Sequence, residues 1–174
     1  REIEWNGGDT KPELIGSALT PEKDYTYEYK NCSTVTTTSG ASVVITGQGN
    51  YTGTKTLYYT ITRRSFTGSS NSDFTIAATP SGKVSDSDGY KIKLTVKDVA
   101  RSPESAQTLK MGTDYQVQMV EYFNDLNEEW EILTTSDYAT DNSSDTIKNV
   151  YKAGKYRITV EGIGSYQDTL QVTR

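Results

Sequence analysis

The residues of this sequence that could carry out chemistry are few, and most are carboxylates and aromatic rings. The chain has no histidine and a single cysteine, Cys32. Histidine is the commonest general base and the commonest zinc ligand, and one cysteine allows neither a thiolate cluster nor an internal disulfide. A carboxylate pair or a Ser–Lys dyad stays possible, but no spacing singles one out. We therefore expect no enzymatic activity and no cofactor.

One weak metal candidate is the stretch SDSDG, residues 85–89. Asp86 and Asp88 place carboxylates at alternating positions beside a glycine, as calcium loops do. A full calcium loop needs more acids and a bidentate glutamate. Because Asp-Gly is also a common turn signal, a plain turn is the favoured interpretation, with calcium as the alternative.

A candidate contact face lies in the most acidic part of the chain. Residues 124–150 hold seven acidic residues and one lysine. Here Trp130 is flanked by Glu129 and Glu131, and Tyr138 follows in the same segment. Inserted segments on a rigid scaffold often carry binding, so these residues could contact a glycan or a host protein. The alternative is a solvated elaboration that covers a sheet edge, because edge strands are commonly protected by charge.

An internal repeat indicates how such residues are positioned. The stretch DYTYEY at 24–29 matches DYQVQM at 114–119, and both alternate apolar with polar side chains, as half-buried strands do. Further along, TGQGNYTGT at 46–54 matches EGIGSYQDT at 161–169. The shared glycines suit positions with positive φ or close backbone approach. Each copy is therefore predicted to be a strand, a glycine turn, a tyrosine and a closing strand.

The tyrosines of the two copies are expected to pack rather than to bind. Tyr51 and Tyr166 follow the matched glycines, and each is predicted to cover the edge of its domain. Ligand stacking is the alternative, although rings buried in packing are the commoner case. In the first copy, Tyr25, Tyr27 and Tyr29 alternate along one strand. We expect their rings to meet Val43 and Ile45 in the core.

The first copy resembles the bacterial immunoglobulin-like repeats of cell-surface proteins, in particular MBG-like and other Big-type tandem domains. The resemblance rests on WNGGDTKPEL, DYTYEYKN and GASVVITGQGNYTGTKTLYYTI, and it covers most of residues 1–62. The second copy lacks the Lys-Pro opening and has YQDT in place of YTGT, so its membership rests on the internal match. The resemblance implies an extracellular, surface-attached β-module of a bacterium, usually one of many in a longer protein.

The strand patterns predict an all-β fold of two tandem immunoglobulin-like β-sandwich domains. The first covers residues 1–63, the small polar stretch 64–72 is a linker, and the second, looser domain covers 73–174. Because alternating strands leave an apolar face, each domain needs two sheets packed face to face. The two matches between the copies have different offsets, which places an acidic insertion at about 124–150. We predict an added strand or hairpin there, followed by a polar loop at 136–146.

Composition and charge limit the partners. The net charge is −5, which provides no basic surface for nucleic acid or an anionic membrane. No apolar run approaches the ~20 residues needed to span a bilayer, so membrane insertion is not expected. Since Arg1 is not an initiator methionine, we expect a fragment of a larger secreted protein. The predicted function is a monomeric, non-catalytic spacer or adhesion module on a bacterial surface; the alternative is a carbohydrate- or host-ligand-binding module that uses Trp130.

Overall fold

The structure is a computed structural model that describes residues 1–15, 18–67, 73–81, 89–100 and 106–174. These residues form strands and loops and contain no helix, so the prediction of an all-β fold is confirmed. The strands are β1 (Glu2–Glu4), β2 (Tyr25–Lys30), β3 (Ala41–Gly47), β4 (Thr54–Thr62), β5 (Arg64–Ser65), β6 (Phe74–Ser81), β7 (Tyr90–Asp98), β8 (Gln107–Leu109), β9 (Tyr115–Asn124), β10 (Glu129–Ile132), β11 (Ala139–Asp141), β12 (Thr146–Val150), β13 (Tyr156–Gly162), β14 (Tyr166–Gln167) and β15 (Thr169–Thr173).

The chain divides into two compact units, Arg1–Arg64 (unit 1) and Ser65–Arg174 (unit 2). The sequence placed residues 64–72 in a linker. In the structure Ser65 lies in β5, and the ring of Phe66 is buried in unit 2. Phe66 is therefore a core residue, because its apolar ring is removed from water, which a linker does not allow. Residues 68–72 of the predicted linker lie outside the described residues.

Unit 1 is built on a four-stranded sheet in the order β1-β4-β3-β2. Two facing sheets were expected in this domain, but its described residues form this one sheet. The segment before β2 covers part of the apolar face instead. The Tyr59 hydroxyl donates to the Thr10 carbonyl at 3.0 Å, and the Tyr29 hydroxyl donates to the Pro12 carbonyl. Part of the remaining apolar face lines an open groove.

Unit 2 contains two larger sheets, in the orders β10-β9-β13-β15 and β11-β12-β7-β6, with β8 also paired to β7. β14 pairs with β5, and the Phe66 N–H donates to the Gln167 carbonyl at 3.0 Å. Both large sheets bury apolar side chains, and those buried most completely include Leu94, Val96, Val120, Ile147, Ile158 and Val160. The two sheets give this unit a larger core than unit 1.

The acidic insertion is part of this core. β10 pairs antiparallel with β9, which is the predicted added hairpin. The predicted polar loop at 136–146 is wrong, because it contains β11 and leads directly into β12, a strand between β11 and β7. Ile147 and Val150 of β12 are buried. A register shift between Ile147 and Val150 breaks the regular alternation by which a strand is recognised from its sequence.

The turn found by the internal repeat is formed twice with the same backbone hydrogen bonds. In unit 1 the Gln48 N–H donates to the Asp24 carbonyl at 2.9 Å. In unit 2 the Ile163 N–H donates to the Asp114 carbonyl, also at 2.9 Å. Each turn therefore ties the glycine stretch to the start of the Asp-Tyr strand, and the match between the two copies is confirmed at this place.

Glycine is required at equivalent positions of the two turns. Gly49 has φ +65° and Gly164 has φ +63°, a region that side chains with a Cβ rarely adopt. A Cβ at Gly49 would lie 3.2 Å from the Lys23 carbonyl oxygen, and one at Gly164 would lie 2.8 Å from that of Thr113. Positive φ and close backbone approach both apply, as the repeat predicted.

Candidate functional site

Trp130 of the predicted contact face packs against side chains of the neighbouring strands. Its ring lies 5.2 Å from that of Phe123, and the Arg157 guanidinium carbon lies 4.5 Å from its centroid, a cation–π contact. Arg157 also binds Glu121 through two hydrogen bonds, one of them from Nε to Oε2 at 2.5 Å. Hydrogen bonding by Arg157 holds the pKa of the buried Glu121 carboxyl below its ordinary value.

Sequence reasoning missed Glu121 and Arg157. They lie on different strands, and the pairing of β9 with β13 places them opposite each other. The alternation in KYRITVE indicates which side of β13 carries Arg157, but no local signal identifies its partner. Finding this pair from the sequence would require knowing that β9 pairs with β13, two strands that are far apart in the chain.

Glu129 and Glu131 lie on the sheet face opposite Trp130, because successive residues of a strand point to opposite faces. Glu131 accepts a hydrogen bond from Asn124 Nδ2 at 2.5 Å and pairs with Lys152 at 3.5 Å. The bond from Asn124, followed by that from Lys152, lowers the pKa of Glu131. The acids are therefore not brought to the indole ring.

Tyr138 lies apart from these residues, in the connection between β10 and β11. It is half-buried, and burial raises the pKa of its phenol. The neighbouring Asp137 accepts hydrogen bonds from the N–H and the hydroxyl of Thr134, both at 2.7 Å, which closes a local turn. Within the described ranges, no hydrogen bond or ring contact joins Tyr138 to Trp130. The residues of the predicted contact face thus do not converge.

The metal candidate, Asp86 and Asp88, lies outside the described residues. Elsewhere, among the residues that the structure describes, no three metal-ligating side chains are grouped closely enough to hold an ion. In the same part of the chain, no helix has the length and apolar character needed to cross a membrane.

An open groove on the apolar face of the unit 1 sheet has a volume of about 700 Å³. We call it the apolar groove. It is lined mainly by apolar side chains, among them Leu14, Ile15, Leu19, Val43, Ile45 and Leu57. Tyr51 also lines the groove, and 46% of its side chain is exposed; Leu57 is 41% exposed. Large apolar side chains left open together in this way are typical of a binding surface.

The tyrosines of β2 share the apolar face, as the alternation predicted. The ring centroids of Tyr25 and Tyr27 are 6.2 Å apart, and those of Tyr27 and Tyr29 are 5.8 Å apart. Tyr27 pairs with Ile45 in the strand register. The prediction that Tyr27 lies in the core is wrong, because its side chain is 45% exposed. β2 is an edge strand, so Tyr27 has a neighbouring strand on one side only.

A second pocket of about 690 Å³ adjoins the apolar groove and shares four lining residues with it, among them Pro12 and Tyr25. Its lysine is already paired, since Lys11 Nζ lies 2.7 Å from Asp9 Oδ2. The hydrogen bond between them lowers the pKa of Asp9 and raises that of Lys11. Buried Cys32 also lines this pocket. Because its lysine is already paired and fewer aliphatic side chains line it, this pocket is the weaker binding candidate.

The apolar groove offers apolar area and charges of both signs rather than reactive groups. Lys55 and Arg1 line it together with Glu13 and Asp24. Such a set suits an amphipathic partner held by apolar burial and by charge. No family model, curated protein or solved structure matches this chain. The functional assignment therefore rests on the two units themselves.

Proposed function

We propose that this chain is a non-catalytic, extracellular immunoglobulin-like module of a bacterial surface protein and that it acts as a structural spacer. The observation that carries the proposal is the repeated turn, in which Gln48 and Ile163 donate to Asp24 and Asp114 in two consecutive units. Consecutive copies of one β-unit are typical of extended arrays. The resemblance of residues 1–62 to MBG-like repeats supports the same role and a place on the cell surface.

The strand order of unit 1 suits a spacer held under tension. β1 begins the unit and β4 ends it, and the two are parallel neighbours, with Glu2 opposite Thr60 and Glu4 opposite Thr62. Tension applied to the two ends of the unit acts along both strands in opposite directions. The hydrogen bonds between them must then break together rather than one after another, so the unit resists extension.

Unit 2 also fastens its first residues to a segment near its end. The Phe66 N–H donates to the Gln167 carbonyl at 3.0 Å, and the Ser65 hydroxyl donates to Asp168 at 2.5 Å. Only β15 follows these partners in the chain. Unit 1 thus joins its first strand directly to its last long strand, and unit 2 joins its entry segment to β14, the strand before its last; both arrangements support a role in transmitting tension.

Single-molecule extension of the full chain through its ends tests the spacer proposal. We expect one force peak for each unit. Ile3→Pro removes a backbone donor from β1, so it should lower one peak and leave the other unchanged. Tyr58→Ala is the control, since exposed Tyr58 lies on β4 outside the pairing with β1. Extension of the unaltered chain without any resolved peak contradicts the proposal.

The alternative, a carbohydrate- or host-ligand-binding module centred on Trp130, has weaker support. Arg157 packs against the indole ring, and Glu129 and Glu131 lie on the opposite sheet face. A glycan array distinguishes the two functions. Binding by the wild-type chain that is lost in Trp130→Ala favours the alternative, whereas an array without binding is the result expected for a spacer.

A further inference from the structure

The apolar groove of unit 1 is the counterpart of a surface that is buried in unit 2. Through the repeated turn, Ile45 corresponds to Val160, and Tyr51 corresponds to Tyr166. In unit 2 both positions are closed, since Val160 is buried and only 1% of Tyr166 is exposed. In unit 1, Ile45 is half-buried and Tyr51 stands open to solvent. The same architecture is therefore covered in one unit and uncovered in the other.

Aromatic side chains do the covering in unit 2. The ring of Phe66 stacks on Tyr166 with 5.6 Å between centroids, and Phe74 meets Tyr166 edge-on at 6.1 Å. Phe74 begins β6, and the same side of this strand continues with buried Ala78. The repeated turn of unit 2 is thus completed by an extended segment that presents an aromatic ring to its tyrosine.

Unit 1 contains no phenylalanine, and no ring contact joins Tyr51 to another described aromatic side chain. It also differs in charge. Lys55 lines the apolar groove at the position that Leu170 has in the second copy, and it forms no ion pair with a described residue. An occupant that pairs with Lys55 would therefore carry a negative charge beside its aromatic ring.

We propose that the apolar groove of unit 1 binds an extended peptide segment of a partner protein, which places an aromatic side chain against Tyr51 and an acidic side chain near Lys55. The observation that identifies this occupant is the way in which unit 2 covers the equivalent surface. Charge complementarity with Lys55 adds the acidic residue. Recognition combines burial of apolar side chains on Ile45 and Leu57 with one charge pair, and it does not depend on the spacer role.

A synthetic peptide with the sequence of residues 73–81, DFTIAATPS, is a suitable probe, because it begins with an acid, an aromatic ring and an alternating strand. The peptide is labelled at its C-terminus with a fluorophore and titrated into the full chain, with binding followed by fluorescence anisotropy. A peptide carrying Phe74→Ser is the matched control. We expect saturable binding of the first peptide and at least about tenfold weaker binding of the control.

Variants of the full chain locate the peptide. Tyr51→Ala and Leu57→Lys should each weaken binding about tenfold or more. Leu126→Lys is the matched control in unit 2, because Leu126 is 96% exposed, and it should leave binding unchanged. Circular dichroism shows whether each variant is folded. If Leu57→Lys does not fold, Tyr51→Ala still tests the groove, because it changes an exposed position in a turn. Binding that Tyr51→Ala and Leu57→Lys leave unaltered overturns the proposal, since the peptide would then lie elsewhere.

A double-mutant cycle tests the role of Lys55. The peptide with Asp73→Asn should bind several-fold more weakly than the original, and Lys55→Gln in the chain should abolish that difference. Equal effects of Asp73→Asn on both chains contradict the proposed charge pair. Sedimentation equilibrium of the chain alone tests whether a second copy of the chain occupies the groove. A dimer that Leu57→Lys dissociates and the peptide does not displace identifies a second copy as the occupant, which overturns the assignment to a partner peptide.

Discussion

Tyr51 and Tyr166 hold the same position in two copies of one turn, yet 46% of Tyr51 is exposed and only 1% of Tyr166. Each backbone N–H makes the same bond, from Tyr51 to Gln48 at 3.2 Å and from Tyr166 to Ile163 at 3.0 Å. The turn therefore fixes the backbone, while the burial of the ring depends on what the rest of each unit places over it.

This difference in burial predicts a difference in stability. Tyr166→Ala should lower the free energy of unfolding of unit 2 by about 3–5 kcal/mol, as for other buried aromatic side chains. Tyr51→Ala should lower the free energy of unfolding of unit 1 by less than about 1 kcal/mol, because substitutions at exposed positions change stability little. Hydrogen exchange measured on peptides from each unit reports the two values separately. Similar costs at both tyrosines would show that Tyr51 is buried in solution.

The fold could be predicted from sequence where local spacing determines it. The Asp-Tyr strands and the glycine turns were recognisable because positive φ at Gly49 and Gly164 leaves a residue signature. The face shared by Tyr25, Tyr27 and Tyr29 followed from alternation alone. The exposure of Tyr27 did not, since alternation gives the direction of a side chain and says nothing of what covers it.

Features set by contacts between distant strands were not predictable. The sequence of β12, TIKNV, is largely polar and does not indicate a central strand. The place of β12 inside a sheet depends on its pairing with β7 across a register shift. The candidate contact face failed to converge for a related reason. Trp130 was grouped with its neighbours in sequence, whereas the strand register places it with Phe123 and the β13 residue Arg157. The apolar groove was not predictable either, because no local spacing shows which side chains of unit 1 are left uncovered.

The two copies also differ at a position with positive φ. Glu22 has φ 63° and its counterpart Gly112 has φ 80°. Glu22→Gly should stabilise unit 1 by up to about 1 kcal/mol, because glycine removes the left-handed strain. Gly112→Ala should destabilise unit 2 by about 1–3 kcal/mol, since its Cβ would also lie 2.6 Å from Asn142 Nδ2.

Urea denaturation of both single variants and of the wild type tests this pair of substitutions. Gly8→Ala is a control, because nothing lies within 4 Å of a Cβ at Gly8 and its φ is not in the left-handed region. A loss of stability in Glu22→Gly would mean that the greater entropy of glycine in the unfolded chain outweighs the strain, contrary to the prediction.

The ion pair of Glu121 and Arg157 predicts a pH dependence. Hydrogen bonding by Arg157 lowers the folded-state pKa of Glu121 below its ordinary value of 4.5. A depressed pKa gives stability that is present above the unfolded-state value and is lost as the pH falls through the folded-state value. Glu121→Gln should therefore be less stable than the wild type at pH 7, and the difference should shrink towards pH 3.

Urea titrations at pH 7, 5 and 3 measure this difference. Comparing the two chains cancels other acids with lowered pKa values, such as Glu131 and Asp137. Arg157→Met is a second variant, which leaves the Glu121 carboxylate without its cation and should be less stable than the wild type at pH 7. A difference between Glu121→Gln and the wild type that is equally large at every pH would exclude the charged pair as its source.

The last prediction concerns Asp145, which joins the acidic insertion to the start of β9. Its carboxylate accepts a hydrogen bond from the Met111 N–H at 2.7 Å, and the Tyr115 hydroxyl lies 3.4 Å from the same oxygen. Met111 and Tyr115 are buried, and burial is the main cause that raises the pKa of Tyr115. Deleting 136–145 should therefore unfold or strongly destabilise unit 2, because it removes β11 and this acceptor together.

Asp145 has φ 52°, so a substitution there can act through backbone strain as well as through the lost hydrogen-bond acceptor. Two point substitutions separate these effects. Asp145→Asn keeps an acceptor oxygen and tolerates this φ, so it should cost less than about 0.5 kcal/mol. Asp145→Gly keeps the backbone freedom but leaves the buried Met111 N–H without its partner, and it should cost about 1–3 kcal/mol. Urea denaturation with hydrogen exchange at Met111 measures both. If Asp145→Gly is as stable as Asp145→Asn, the carboxylate does not hold the insertion in place.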